Sequence, residues 1–281
     1  MYNRKWWYLL VALIVLAAAC KKKDDKPQRL LNNANVLLQQ GNLNAAKITL
    51  DSIHRLFPRL IPVRQAADTV MYHIQLQEAV RNMAYVDSLL PLQKHSVDSL
   101  VKAFKYEKNG KYEDVGKYTF NTQANVSPGR TYPKIYVTED GDITLMSIYC
   151  GAPTGYTKVK ASANGIFCET HDAYGDSRTT FSNGGQSWEN VSFTNADING
   201  VDAFIAQNEG KITISLEGGK RSYSYTLAQS DRQAMKQTYL LARLLQKNKQ
   251  LEQAKQRSKQ RLATLCERLH LNEAEFLSKD K

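Results

Sequence analysis

Cys20 closes the run Leu16-Ala17-Ala18-Ala19-Cys20, which ends an apolar stretch from Trp6 that follows Asn3-Arg4-Lys5. A basic start, an apolar middle and a small-residue end make the pattern of a secretory signal. The stretch is shorter than the roughly 20 residues that cross a hydrocarbon core. Small residues before Cys20 let a peptidase reach the backbone, and a thiolate is needed there to form the thioether to a diacylglyceryl group. The sequence therefore predicts a signal peptide over 1–19 and lipidation of Cys20 as a diacylglyceryl cysteine. Several acyl chains, at about 0.8 kcal/mol per buried methylene, would hold such a chain at a membrane.

Catalytic chemistry is sparse by comparison. His54, His73, His95, His171 and His270 are scattered, with no close pair and no His-Glu motif. Zinc-type cysteine spacing, a Gly-rich phosphate loop after a strand and a nucleophile elbow are all missing from the sequence, so no catalytic residue, metal ligand or cofactor is assigned. Glu169 with His171-Asp172 at a strand end is the most site-like cluster, and it reads more simply as a solvated turn. Two other groups suit binding. Tyr132, Tyr136, Tyr149, Tyr156, Tyr174, Trp188, Tyr223 and Tyr225 fall in one region, where exposed rings can stack on sugars or half-buried rings can simply pack on a sheet. Near the C-terminus Arg243, Lys247, Lys249, Lys255, Arg257, Lys259 and Arg261 face only Glu252, which makes a solvated helix face or a contact for an anionic surface.

The charge balance points the same way. The formal net charge of +11 falls to +9 once Arg4 and Lys5 leave with the signal. A basic surface beside a membrane favours anionic glycan, lipopolysaccharide or lipid headgroups as partners, with an envelope protein as the other class. Nucleic acid fits by charge alone, and an exported address argues against it.

The elements that position these groups fall into helical, β-rich and helical parts: a charged tether over 20–27, helices over 28–105, an antiparallel β-domain over 106–228 and a long basic helix over 229–281. Gly41-Asn42 divides the first helical stretch into a hairpin of tetratricopeptide type, either packed on the rest of the protein or used as a repeat. Apolar residues at heptad spacing, Leu76, Val80, Met83, Leu90, Val97, Val101 and Phe104, predict a long helix from Arg64 that Pro91 should kink or split. A second seam runs from Leu241 through Asn248, Leu251 and Leu262 to Leu269. The economical fold class is α+β, with the two long helices forming an antiparallel coiled coil that flanks an inserted β-domain; the alternative packs each helix separately. Pairing Phe104 near Asp231 would set Asp87 opposite Asn248. Within the β-domain, Asp140-Gly141 and Asn164-Gly165 mark hairpins. About eight short strands are expected, Ala203–Gln207 among them, in a sequential meander closing as a sandwich or an open barrel. In that register Cys150 pairs with Tyr156 and Cys168 with Ala161, so Cys150, Cys168 and Cys266 are expected as free thiols.

Three resemblances add to this reading. Lys23-Asp24-Asp25 close behind Cys20 resembles the export signal of surface-exposed Bacteroidota lipoproteins, which implies an outer-membrane address either surface-exposed or periplasm-facing. Asp51-Ser52-Ile53, Asp68-Thr69-Val70, Asp87-Ser88-Leu89 and Asp98-Ser99-Leu100 resemble the O-glycosylation acceptor of Bacteroidota envelope proteins, implying modification at Ser52, Thr69, Ser88 or Ser99. A seam position for Asp87 would crowd a sugar on Ser88. The runs Tyr85–Leu89, Tyr112–Tyr118, Ser147–Gly151 and Val159–Ser162 together resemble a group of Bacteroidota outer-membrane lipoproteins with a helical N-terminal part followed by an antiparallel β-domain. That group carries no assigned activity, so the resemblance bears on address and architecture. The expected function is a non-enzymatic binding or scaffolding module of the cell envelope, and the alternative is an envelope hydrolase whose site in the β-domain has no recognisable motif.

Overall fold

The computed structural model describes residues 25–124 and 129–277; the predicted signal peptide, Cys20 and most of the tether lie outside them. The helices are α1 (Lys26–Gln39), α2 (Leu43–Leu56), α3 (Ile61–Leu100), α4 (Asn121–Ala124), α5 (Val201–Gln207), α6 (Gln229–Leu269) and α7 (Ala274–Leu277). The strands are β1 (Phe104–Glu107), β2 (Lys117–Phe120), β3 (Tyr132–Thr138), β4 (Ile143–Cys150), β5 (Lys158–Ala163), β6 (Ile166–Glu169), β7 (Arg178–Asn183), β8 (Gln186–Thr194), β9 (Thr213–Glu217) and β10 (Tyr223–Thr226). The architecture is α+β, a helical N-terminal part followed by an antiparallel β-domain, and the chain divides into two compact units.

The first unit comprises residues 25–82 and 258–277. Gly41 sits in the left-handed region at φ 74°, a conformation a Cβ would strain. It ends α1 with bonds from Gly41 N to Leu38 O and from Asn42 N to Leu37 O. The Asn42 side chain then caps α2 by accepting from Ala45 N. Ala34, Ala46 and Ala67 are fully buried beside Leu50, Ile53 and Ile74, small residues that let the three helices approach closely. This is the expected hairpin, and the start of α3 is its packing partner.

Two expectations for the long helices need correction. Pro91 does not split α3, which runs unbroken for 40 residues. Proline removes one intrahelical donor, but Pro91 is exposed, so the carbonyl it leaves unpaired can face water rather than a core. Asp87 does not meet Asn248. Asp87 pairs with Lys255 at 2.5 Å, and Asn248 donates to Glu252 one turn along its own helix.

The second unit, residues 83–257, carries two antiparallel sheets that are not closed into a barrel. One has the order β1-β2-β3-β4-β8-β7 and the other β10-β9-β5-β6. The predicted hairpins are present: Val137 faces Ile143 and Ala163 faces Ile166, with Asn164 and Gly165 at φ 50° and 79°. Alternation places Ile135, Val137, Leu145, Val191 and Phe193 of the first sheet, and Val159, Ala161, Ile214 and Leu216 of the second, in one core with Met235, Leu241 and Ala242 of α6.

The simple meander is wrong. β4 pairs with β3 and β8, and the chain crosses to the other sheet before β5, so Cys150 faces Trp188 instead of Tyr156. The turn signals were local and could not say which sheet a strand would join. Ala203–Gln207 is helical rather than extended. Asn199 and Gly200 at positive φ open α5, and its buried residues Val201 and Ile205 lie four apart.

Candidate functional site

The crossover from β4 to β5 organises the most polar part of the β-domain. Pro153 has no N–H to give a ladder, and between Gly151, still bonded to Ser187 O, and Thr157, already bonded to Glu217 O, the segment 152–156 leaves the sheets and finds another acceptor. That acceptor is Glu189 of β8, only 3% exposed. Its carboxylate accepts from Thr154 N at 3.0 Å, Thr154 Oγ1 at 2.7 Å and Gly155 N at 2.9 Å. The clamp fixes Tyr156, which is fully buried and donates its hydroxyl to Ser147 O at 2.8 Å. Burial pushes the Tyr156 hydroxyl far above the usual phenol range, the Glu189 charge adds to this, and the bond to Ser147 opposes it.

A row of tyrosines stands next to this clamp. Tyr149 of β4 lies 4.8 Å between ring centroids from Tyr223 of β10, and Tyr223 lies 6.1 Å from Tyr225. The three rings join the two sheets, with Tyr223 38% exposed and Tyr149 7% exposed. Burial raises the Tyr149 hydroxyl pKa, the charges of Tyr223, Glu189 and Cys150 raise it further, and Arg221 opposes them. Three buried polar atoms of the neighbourhood, Ser147 Oγ, Arg178 Nε and Tyr225 Oη, have no hydrogen-bond partner among the described residues. Buried donors and acceptors are nearly always satisfied, so a group of orphans marks a place where water or a ligand supplies the missing partner. Arg178 and Arg221 make the same neighbourhood cationic.

A second polar centre lies where α6 begins. Asp231, 2% exposed, is paired with Arg130 and accepts from Gln123 Nε2 at 3.4 Å. Gln123 also donates to Pro133 O and accepts from Ile135 N, so one amide ties α4 to β3 and α6. Burial raises the Asp231 pKa above the ordinary carboxyl value, and Arg130 and then Gln123 act against the rise. Both Asp231 oxygens and both ends of the Gln123 amide are engaged within the fold, which makes this a fastening rather than an acid or base waiting for substrate.

The other sequence-predicted residues are placed as follows. Cys20 lies outside the described residues. Thr69, Ser88 and Ser99 are exposed on α3 and Ser52 is half-buried on α2. The hydroxyls of Ser52, Thr69 and Ser88 bond to carbonyls in the preceding turn. Because Asp87 turns toward Lys255 while Ser88 stays open, the expected crowding of a sugar there does not arise. On the basic face of α6, Lys249 pairs with Asp140 at 2.8 Å and Lys255 with Asp87, while Arg243, Lys247, Arg257, Lys259 and Arg261 have no carboxylate partner among the described residues.

The cluster near His171 lies in the irregular segment that follows β6, and its acids are ion-paired. Lys158 lies 3.5 Å from Glu169 and 3.6 Å from Asp172, and Asp172 accepts from Thr157 Oγ1. Among the described residues no three His, Cys, Asp or Glu side chains converge as a metal site, and no helix is long and apolar enough to cross a membrane. Of the eight aromatics, Tyr156 is pure core, Trp188 stacks on Phe181 at 5.2 Å, and Tyr174 is 74% exposed.

Glu189, Arg178, Arg130 and Asp231 were not singled out from sequence. Glu189 sits at an alternating strand position among apolar inward neighbours, Val191 and Phe193, and that acid on a core face was the available signal. No protein family, curated protein or solved structure matches the chain.

Proposed function

We propose that the protein is an outer-membrane lipoprotein, anchored through Cys20, whose β-domain is a non-enzymatic binding module for an anionic glycan. The observation that carries the binding half is the tyrosine row of Tyr149, Tyr223 and Tyr225 beside Arg178 with its orphaned Nε. Rings offer faces for sugar C–H groups, and a guanidinium offers a planar fork for a carboxylate or phosphate. The anchor half rests on the Leu16–Cys20 run and the charged tether behind it. In this reading the two sheets pack as a sandwich, which their shared core supports. Within residues 83–257, α3 and α6 pair as an antiparallel coiled coil, supported by the bond from Gln93 Nε2 to Leu244 O and the Asp87 to Lys255 pair. Acceptor serines exposed on α3 fit a glycosylated envelope protein.

The test has two arms. Cys20→Ala should leave the protein unprocessed or released from the outer-membrane fraction, and normal fractionation of that variant refutes the anchor. The mature protein should bind polygalacturonate more tightly than dextran. Tyr223→Ala and Arg178→Gln should each weaken that binding about tenfold, and equal binding of the acidic and neutral polymers refutes the glycan reading.

A further inference from the structure

We infer that the first unit holds a binding site for a small amphiphilic anion, a short acyl chain ending in a carboxylate, centred on Arg81. Two cavities meet at this residue. One, of about 350 Å³, is lined by Leu76, Gln77, Val80, Arg81 and Phe276, and the other, of about 300 Å³, by Asn42, Asn44, Glu78, Arg81 and Asn82 among others. The first volume is at the small end of the range for small-molecule sites.

Helix geometry explains why one residue divides apolar from polar. At about 100° per residue, Leu76, Gln77 and Val80 share one face of α3 and Glu78 and Asn82 another, with Arg81 on the border. Phe276 of α7 closes the apolar side. From Leu76 to Val80 the helix rises roughly 6 Å at about 1.5 Å per residue, a length for a short chain and not for a long lipid tail.

Charge then selects the head group. Glu78, the acid beside the site, is already paired with Lys47 at 2.5 Å. Arg81 has no ion-pair or hydrogen-bond partner among the described residues, so it is the uncompensated charge where the two cavities meet. Asn42 uses its side-chain oxygen to cap α2, which leaves its amide N–H groups free to donate on the polar side. Gly41 belongs to the same arrangement: a Cβ there would come within 3.2 Å of Arg81 Nη2, so the glycine lets the guanidinium lie against the turn. A carboxylate can take the guanidinium fork in a bidentate manner while its chain covers Leu76, Val80 and Phe276.

The experiment is calorimetric titration of the chain from residue 20 onward, produced without the predicted signal peptide and with Cys20→Ala so that no lipid is attached, using octanoate, octanol and acetate as probes. Octanoate should bind one to one, and at least tenfold more tightly than either octanol, which lacks the charge, or acetate, which lacks the chain. Arg81→Gln should weaken octanoate at least tenfold, Arg81→Lys should weaken it less, and Phe276→Ala should weaken octanoate without affecting acetate. Arg81 is exposed and unpaired, so helical circular dichroism should be unchanged in both of its variants. Octanol binding as tightly as octanoate, octanoate binding unchanged in Arg81→Gln, or no octanoate heat at millimolar concentration would each overturn the proposal. Polygalacturonate is absent from this titration, so the outcome is independent of the glycan site.

Discussion

Removing the Glu189 carboxylate should unfasten the crossover between the two sheets. In Glu189→Ala the N–H groups of Thr154 and Gly155 and the Thr154 hydroxyl lose their acceptor together, and Thr154 is 4% exposed. Hydrogen bonds to a charged group contribute about 1.5–3 kcal/mol each, and a buried donor left bare costs about 1–3 kcal/mol. The three bonds share one acceptor and do not add fully, so the expected loss is about 3–5 kcal/mol. With a urea slope of about 3 kcal/mol/M, the unfolding midpoint should fall by roughly 1–1.7 M. Trp188 adjoins Glu189 in sequence and is the one tryptophan beyond the predicted signal peptide, so its fluorescence reports this unit directly. Thr154→Ala removes the hydroxyl's bond to Glu189 together with the one it accepts from Tyr156 N, and should cost about 1–3 kcal/mol. Once Glu189 is gone, only the bond from Tyr156 N is left for that hydroxyl to lose, so the double variant should lose less than the sum of the two single variants. A Glu189→Ala midpoint within about 0.3 M of wild type, or fully additive losses in the double variant, would refute the clamp.

Three further outcomes are expected. Labelling denatured, unreduced mature protein with a thiol reagent should give three adducts, at Cys150, Cys168 and Cys266, because Cys150 and Cys168 stand in different sheets; a single adduct would contradict the strand pairing. Asp231 keeps its proton to a higher pH folded than unfolded, so its contribution to stability is full below the ordinary carboxyl pKa and declines as pH rises through the raised folded value. Urea midpoints from pH 4 to pH 7 should therefore fall in wild type relative to Asp231→Asn, and a relative rise would show that the Arg130 pair outweighs burial. Intact-mass measurement of protein from its native host should show added hexose, reduced in Ser88→Ala or Ser99→Ala, and a mass equal to lipid plus polypeptide would rule glycosylation out.

How much could be read from the chain depended on the range of the interaction concerned. The α6 helix was legible almost to the residue, because Ser230-Asp231 and a sustained apolar period are local signals. The hairpin at Asn164-Gly165 was legible because both central residues need positive φ. The return of β8 to β4 was not, since it depends on Glu189 meeting a loop 34 residues away, a pairing with no local trace. Pro91 misled for a related reason. A proline breaks a helix where its freed carbonyl is buried, and exposure at position 91 cannot be read from the residues around it. Arg81 escaped notice because the apolar face of a helix and its polar border are ordinary features until Phe276, far along the sequence, folds over them.

The first unit is assembled from both ends of the chain, with all of residues 83–257 between its two parts. A chain emerging N-terminus first therefore presents α1, α2 and the start of α3 long before Leu262, Leu265 and Cys266, buried residues of the same unit, exist. The continuous second unit can close on its own contacts, while the first waits for residues 258–277. Each buried leucine withheld leaves about 1.5–3 kcal/mol of burial unmade. A chain that stops near Arg257 is thus damaged at its beginning rather than its end, and shows the bare apolar surface that proteases and chaperones recognise.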